Sequence, residues 1–215
     1  MIITRFEELD KSKVRIYIDE EYAFLLYRKD IKRFKLEEGE PISQERYDEI
    51  MEDTIFRRAK QKAIAILVFM DRSEHELRKK LTETGYPSTI VERTITYVYE
   101  YGYINDERYA AAYIRTKMNT KSKMVIKNEL SHKGISNDII ENAFYTEYDL
   151  KESEYGAEDA ELNALKKAIA KKTKSPEELT PEMKQKLIAS LFRKGFDIKK
   201  IKQALSESES LNDDM

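Results

Sequence analysis

The chain has 215 residues, 37% of them charged, with a formal net charge of −2 and no cysteine. That length allows one or two ordinary domains, and the lack of cysteine excludes disulfides and thiolate metal sites. No apolar run is long enough to cross a membrane and no signal-peptide pattern opens the chain, so we expect a cytoplasmic protein.

Residues 1–42 are predicted to form a small antiparallel β-sheet. Val14, Ile16 and Ile18 alternate with Arg15 and Tyr17, which is the period of a half-buried strand. Apolar stretches at 2–4 and 22–27 flank this strand. A sheet of about three strands is too small to be stable alone, so we expect it to pack on the helices that follow.

Three later stretches share a pattern of two apolar residues four apart, a glycine four residues further on, and then an apolar residue. They read Leu77-x3-Leu81-x3-Gly85-Tyr86, Ile126-x3-Leu130-x3-Gly134-Ile135 and Leu187-x3-Leu191-x3-Gly195-Phe196. Apolar residues four apart share one helix face, and glycine after the last turn accepts the left-handed conformation that ends a helix. Gly85, Gly134 and Gly195 are therefore predicted to be structural turns.

Further helices are predicted before and after each of these glycines. Apolar pairs four apart recur downstream, where Ser88, Ser136 and Asp197 are the expected N-caps. Upstream, Ser73 and Glu76 match a capping box, and leading helices are expected at about 43–70, from residue 105 or 106, and at about 153–172. The pattern predicts a mainly α protein of three tandem three-helix repeats, about nine helices in an elongated and curved array. The predicted repeats span 43–104, 105–150 and 151–205, and residues 206–215 read as a disordered acidic tail.

Charge is segregated along the helical part of the chain. Residues 57–133 carry 16 basic and 9 acidic groups, residues 134–162 carry 1 and 9, and residues 163–205 carry 12 and 4. Basic stripes of this kind can meet nucleic acid or an acidic protein groove. Simple segregation of lysine-rich helix faces explains the same pattern equally well.

Residue patterns typical of a catalytic site or a cofactor site are missing from the sequence. His75 and His132 are the only histidines, and both fall at helix ends, where a structural role suffices. There is no phosphate-binding glycine loop, dinucleotide fingerprint or nucleophile elbow. Tyr97, Tyr99 and Tyr101 could stack on bases, although packing in the core or between repeats explains them better. We expect no enzyme activity, no cofactor and no metal.

Several stretches together resemble the RecX family of recombinase regulators, over nearly the whole chain. The similar segments are RSEHELRxxL at 72–81, GYINDERYA at 102–110, LxxKGI at 130–135, LxRKGF at 191–196 and VRIYID at 14–19. The β-rich start resembles the extension of Firmicute-type members. One departure is that residues 119–123 lack the glycine that often precedes the family's middle repeat.

The resemblance implies a non-catalytic protein that binds the RecA recombinase, chiefly as a filament on single-stranded DNA. Such proteins inhibit RecA's ATPase, recombinase and co-protease activities, and we expect a monomer that contacts no membrane and touches DNA weakly if at all. A helical-repeat nucleic-acid binder and an adaptor for another protein are the alternatives. On charge alone, the residues expected to face RecA or its bound DNA are Arg57, Arg58, Lys60, Arg72, Arg78, Lys79, Arg115, Lys117, Lys121, Lys123 and Lys127.

Overall fold

The computed structural model describes residues 1–150, 159–176 and 178–210, the side chains of 149–150 and 207–210 excepted. In these residues, a small antiparallel sheet at the start is followed by helices, as the sequence predicts. The chain divides into two compact units, Met1–Asn105 and Asp106–Met215.

The sheet of the first unit comprises β1 (Ile3–Glu8), β2 (Lys13–Ile18) and β3 (Glu21–Tyr27), paired antiparallel in that order. Val14 lies opposite Leu26, and Ile16 lies opposite Phe24. All four side chains are buried, so the alternating pattern correctly marks the inward face.

A short helix that the sequence pattern does not predict, α1 (Arg28–Phe34), follows β3 directly. In its first turn, the Asp30 carboxylate accepts a hydrogen bond of 3.0 Å from the backbone N–H of the N-cap, Tyr27. The sheet and α1 share one hydrophobic cluster with Ile50 and Ile55, which lie in the long helical stretch that follows. The expectation that the sheet packs on helices is therefore confirmed.

The first three-helix repeat begins with one long helix that changes geometry in its middle. Helix α2 (Gln44–Glu49) leads into a π-helical segment (Ile50–Phe56) and then into α3 (Arg57–Phe69). Helices α4 (Glu74–Glu83) and α5 (Ser88–Glu100) complete the repeat. The predicted capping box is present, because Ser73 accepts from the Glu76 N–H and Glu76 accepts from the Ser73 N–H.

The described part of the second unit holds six further α-helices. Its first group is α6 (Asp106–Lys117), α7 (Lys123–His132) and α8 (Asn137–Phe144), the last continued by a π-helical segment (Tyr145–Leu150). Its second group is α9 (Ala160–Ala170), α10 (Pro181–Arg193) and α11 (Ile198–Ser210). Each group has its own hydrophobic cluster, and Ala160 at the start of α9 packs in the cluster of the first group.

The predicted glycine stops are confirmed. Gly85, Gly134 and Gly195 have φ of 95°, 80° and 79°. After each, the next N–H bonds the carbonyl four residues before the glycine: Tyr86 to Leu81 at 3.4 Å, Ile135 to Leu130 at 3.2 Å and Phe196 to Leu191 at 3.3 Å. This bonding defines the Schellman motif, and it also ends α5 at Gly102, where the N–H of Tyr103 bonds Val98.

Some predicted helix boundaries differ from the observed ones. Ser88 is wrong as an N-cap, because Pro87 takes that position and Ser88 is already the first helical residue. Helix α9 starts at Ala160, with Asp159 as its cap, and the predicted start at residues 153–158 lies outside the described residues. Helix α11 continues to Ser210, into the segment whose composition predicts a tail, while residues 211–215 lie outside the described part.

Candidate partner-binding surface

Many of the basic residues predicted to bind a partner pair with acids of this same chain. Arg58 donates to both carboxylate oxygens of Asp30, at 2.5 and 2.8 Å. The Asp30 side chain is only 4% exposed. Burial alone would raise the pKa of Asp30, but the bonds from Arg58 and from the Tyr27 backbone outweigh it and hold the pKa below its ordinary value. Arg58 thus joins α3 to α1 inside the first unit.

Other predicted residues also pair with acids near them in the fold, most of them at the surface. Each meets a carboxylate of its own unit: Arg72 with Glu76, Arg78 with Glu74 and Glu92, Arg115 with Glu147, Lys121 with Glu129, and Lys127 with Glu141. The exposed pairs contribute little stability each, whereas the Glu147 side chain is buried, at 4% exposure. They do reduce the positive charge that these residues can offer to a partner.

The rest of the predicted set differs in environment. Arg57 and Lys79 are exposed and form no ion pair with any described residue. Lys60 lies over the rings of Phe56 and Tyr97, at 4.5 and 5.0 Å from their centroids. Contacts of this kind hold the aliphatic stem of a lysine while its charge stays accessible to water.

Lys117 and Lys123 also lie over aromatic rings, in the second unit. Lys117 is 5.9 Å from the centroid of Tyr113, and Lys123 is 4.3 Å from the centroid of Tyr148. Tyr113 in turn donates to Glu129 at 2.8 Å, and its burial together with this bond raises its pKa to about 12. The phenol therefore stays protonated and fixes α6 against α7.

A basic groove in the second unit was not predicted from the sequence. Lys167 and Lys171 at the end of α9, Arg193 and Lys194 at the end of α10, and Lys121 before α7 line it. Of these residues, only Lys121 belongs to the predicted set. The charge count of residues 163–205 indicates a basic third repeat, but the sequence alone does not show which lysines converge.

One seam holds the two helix groups of the second unit together beside this groove. The Ser122 hydroxyl donates to the Lys194 carbonyl at 2.7 Å. Behind it, a Cβ added to Gly195 would come within 2.9 Å of Ser122 Oγ and 3.0 Å of Met124 Cβ. The stop glycine of α10 therefore also permits close packing against the start of α7.

Two further expectations concern aromatic and metal-binding residues. Tyr97 and Tyr101 share a face, with ring centroids 4.6 Å apart, but Tyr99 and Tyr101 are 64% and 66% exposed. Packing in the core therefore does not explain those two rings. Within residues 1–150, 159–176 and 178–210, no group of three His, Cys, Asp or Glu side chains could hold a metal ion. No helix in that part of the chain is long and apolar enough to span a membrane.

The fold defines a class of protein: a small sheet followed by consecutive three-helix domains with basic surfaces. Models of the first, second and third RecX three-helix domains match residues 59–97, 105–143 and 159–205. The chain belongs to the RecX family.

Relatives over nearly the full length support this assignment. Regulatory protein RecX of Bacillus velezensis is 32% identical over 99% of this chain and 79% of its own. Regulatory protein RecX of Clostridium acetobutylicum is 30% identical over 98% and 97%. A crystal structure of regulatory protein RecX superposes with a TM-score of 0.61 at 25% identity, covering 94% of this chain and 98% of that one.

Proposed function

We propose that this protein regulates the RecA recombinase in the cytoplasm by binding it, chiefly as a filament on single-stranded DNA. Membership of a family of regulatory proteins, with all three helical domains matched, is the observation that carries the proposal. In this proposal, binding inhibits ATP hydrolysis, strand exchange and co-protease activity, and the protein acts as a monomer without catalysing a reaction.

Basic groups spread over both units supply the proposed contacts. Arg57 and Lys79 present unpaired charge among the described residues of the first unit. Lys60, Lys117 and Lys123 present charge held over aromatic rings. A single exposed ion pair contributes roughly 0–1 kcal/mol, so binding needs many such contacts. A filament repeats its subunits, and that repetition would raise the effective concentration of each further contact.

Titration of RecA ATP hydrolysis tests the proposal. Purified protein added to cognate RecA on single-stranded DNA should suppress hydrolysis at substoichiometric or near-equal amounts. Co-precipitation with RecA in the absence of DNA should also be observed. Undiminished hydrolysis at an excess of the protein would contradict the proposal. Tight binding to DNA alone, with hydrolysis suppressed only when DNA is limiting, would instead indicate a nucleic-acid binder.

A further inference from the structure

The basic groove of the second unit is a surface concavity of 630 Å³. Its rim carries Lys121, Lys167, Lys171, Arg193 and Lys194, contributed by three separate helices or their flanking turns. Among the described residues, no carboxylate lines it. The convergence of five cations on one concave surface raises the local positive potential well above that of scattered lysines.

Ion pairs with described residues do not balance most of this charge. Lys167, Lys171 and Lys194 form no ion pair with any described residue, and Arg193 donates through Nε to the Ala189 carbonyl rather than to an acid. The carboxyl ends of α9 and α10 each contribute about half a negative charge. Together they offset roughly one of the five cations. The positive charge that Lys121 contributes is further reduced by its ion pair with Glu129.

The floor of the groove is apolar. Val125 comes from α7, Ala168 and Ala170 from α9, and Phe196 from the turn after α10. A neighbouring groove of 510 Å³ provides a contrast, because Glu161 and Asp197 line it together with Lys123 and Lys127. An apolar floor below a uniformly basic rim is therefore a property of the first groove and not of every concavity beside the seam.

This combination favours an acidic polypeptide over a nucleic acid. A phosphodiester backbone has no apolar group to cover Val125 and Ala168. A stacked base needs an exposed ring, yet Phe196 is only 3% exposed. A peptide that carries an apolar side chain between carboxylates would satisfy both the floor and the rim.

We propose that this groove binds an acidic segment of a partner protein, with an apolar side chain on the floor and carboxylates on Lys167, Lys171, Arg193 and Lys194. The proposal deepens the proposed function, and it rests on that function for the identity of the partner as RecA. The chemistry of the bound segment follows from the groove itself.

Fluorescence anisotropy on the full chain tests the groove directly, without RecA. The probe is a fluorescein-labelled peptide in which a central Leu-Phe pair is flanked on both sides by glutamates. The double variant Lys167→Glu/Arg193→Glu should weaken binding by about tenfold or more, the effect of losing two ion pairs and adding repulsion. The control Lys186→Glu/Lys202→Glu makes the same change in net charge at exposed positions outside the groove, and should change affinity by less than about twofold.

The apolar floor is tested by a change in the probe and a change in the protein. A peptide with glycines in place of Leu-Phe should bind several-fold more weakly. Ala170→Phe, at an exposed position of α9 that lines the groove, should fill the floor and weaken binding of the Leu-Phe peptide while the helical circular dichroism stays unchanged. Equal loss in the control double variant, or equal affinity for the glycine peptide, would overturn the proposal. Preferential binding of oligothymidine through Lys167 and Arg193 would overturn it in favour of a nucleic-acid site.

The two proposals can fail separately. If the peptide binds as expected but RecA hydrolysis is unaffected by the protein, the groove stands and RecA is not the partner. If RecA is inhibited equally by wild type and by Lys167→Glu/Arg193→Glu, and the peptide does not bind, regulation stands and the groove proposal is wrong.

Discussion

The side-chain hydroxyl of Ser122 donates a hydrogen bond to the backbone carbonyl of Lys194, and the same oxygen accepts one from the Val125 N–H at 3.3 Å. Ser122 is the N-cap of α7 and Lys194 is the C-cap of α10. One hydroxyl thus completes the start of a helix in one repeat and the end of a helix in the next. Ser122 is 1% exposed, so water cannot readily replace either bond.

Replacing Ser122 by alanine should therefore cost more than the loss of an ordinary cap. The change removes the acceptor for the Val125 N–H and leaves the Lys194 carbonyl without its side-chain donor. We expect the free energy of unfolding to fall by about 2 kcal/mol, the sum of a lost cap and a lost hydrogen bond between the two repeats. The control is Ser136→Ala, because exposed Ser136 caps α8 through the Ile139 N–H alone and should cost about 1 kcal/mol. Equal losses in urea denaturation would contradict the double role of Ser122.

Gly195→Ala should destabilise the protein more than Gly102→Ala does. Both glycines have positive φ, 79° and 68°, so alanine at either costs about 1–2 kcal/mol of backbone strain. A Cβ at Gly102 meets nothing within 4 Å, whereas at Gly195 it would overlap Ser122 Oγ and Met124 Cβ. Such overpacking adds about 1–3 kcal/mol. Equal urea midpoints for the two variants would mean that Ser122 and Met124 can move away from the added Cβ without loss of stability.

Features that depend on a few consecutive residues can be predicted from the sequence, whereas contacts between distant segments cannot. The glycine stops and most caps were predicted because a Schellman turn and a serine cap each depend on about six consecutive residues. The bond from Ser122 to Lys194 joins residues 72 apart. Nothing in the sequence around either residue indicates that the two are in contact. The seam and the groove beside it are therefore recognised only in the folded chain.

The candidate site shows the same limit. Charge counts identified basic blocks correctly, but the partners of Arg58 and Arg115 lie 28 and 32 residues away. Only the fold decides whether a given arginine is neutralised inside the molecule or offered to a partner. Helix α1 was missed for a related reason, since its seven residues are too few to show a helical period and are held by the buried Asp30–Arg58 pair.

That pair gives a prediction about stability. Asp30→Asn leaves the Arg58 guanidinium half-buried without a counter-charge, which typically costs about 3–5 kcal/mol. We expect a loss of stability near the lower end of this range, because 23% of the Arg58 side chain is exposed to solvent. Glu141→Gln is the control: it breaks the exposed pair with Lys127 and should cost less than about 1 kcal/mol. Equal losses in thermal unfolding would show that Arg58 finds another partner.

The same carboxylate predicts a dependence of stability on pH. The pKa of Asp30 in the folded protein is below its ordinary value of 3.8, so the unfolded chain binds a proton more readily than the folded one. The stabilisation is fully present above that ordinary value and is lost as the pH falls through the folded pKa. The difference in free energy of unfolding between wild type and Asp30→Asn should stay constant from pH 7 to about pH 5 and shrink below about pH 4. A difference that does not change down to pH 3 would assign the effect to packing instead.

The last prediction concerns the regulation of RecA. It distinguishes basic residues that form no ion pair with a described residue from basic residues that pair with acids of this chain. Arg57→Glu/Lys79→Glu changes two exposed residues of the first unit that form no ion pair among the described residues. The amount of protein needed for half-maximal inhibition of RecA ATP hydrolysis should rise by about tenfold, since each reversal removes one attraction and adds one repulsion. The matched control, Lys11→Glu/Lys32→Glu, reverses two exposed lysines outside the predicted set and should leave inhibition within about twofold. Equal weakening by both double variants would contradict the prediction, as would an equal loss of wild-type inhibition when salt is added. Either result would mean that overall charge governs binding and that Arg57 and Lys79 form no specific contact with RecA.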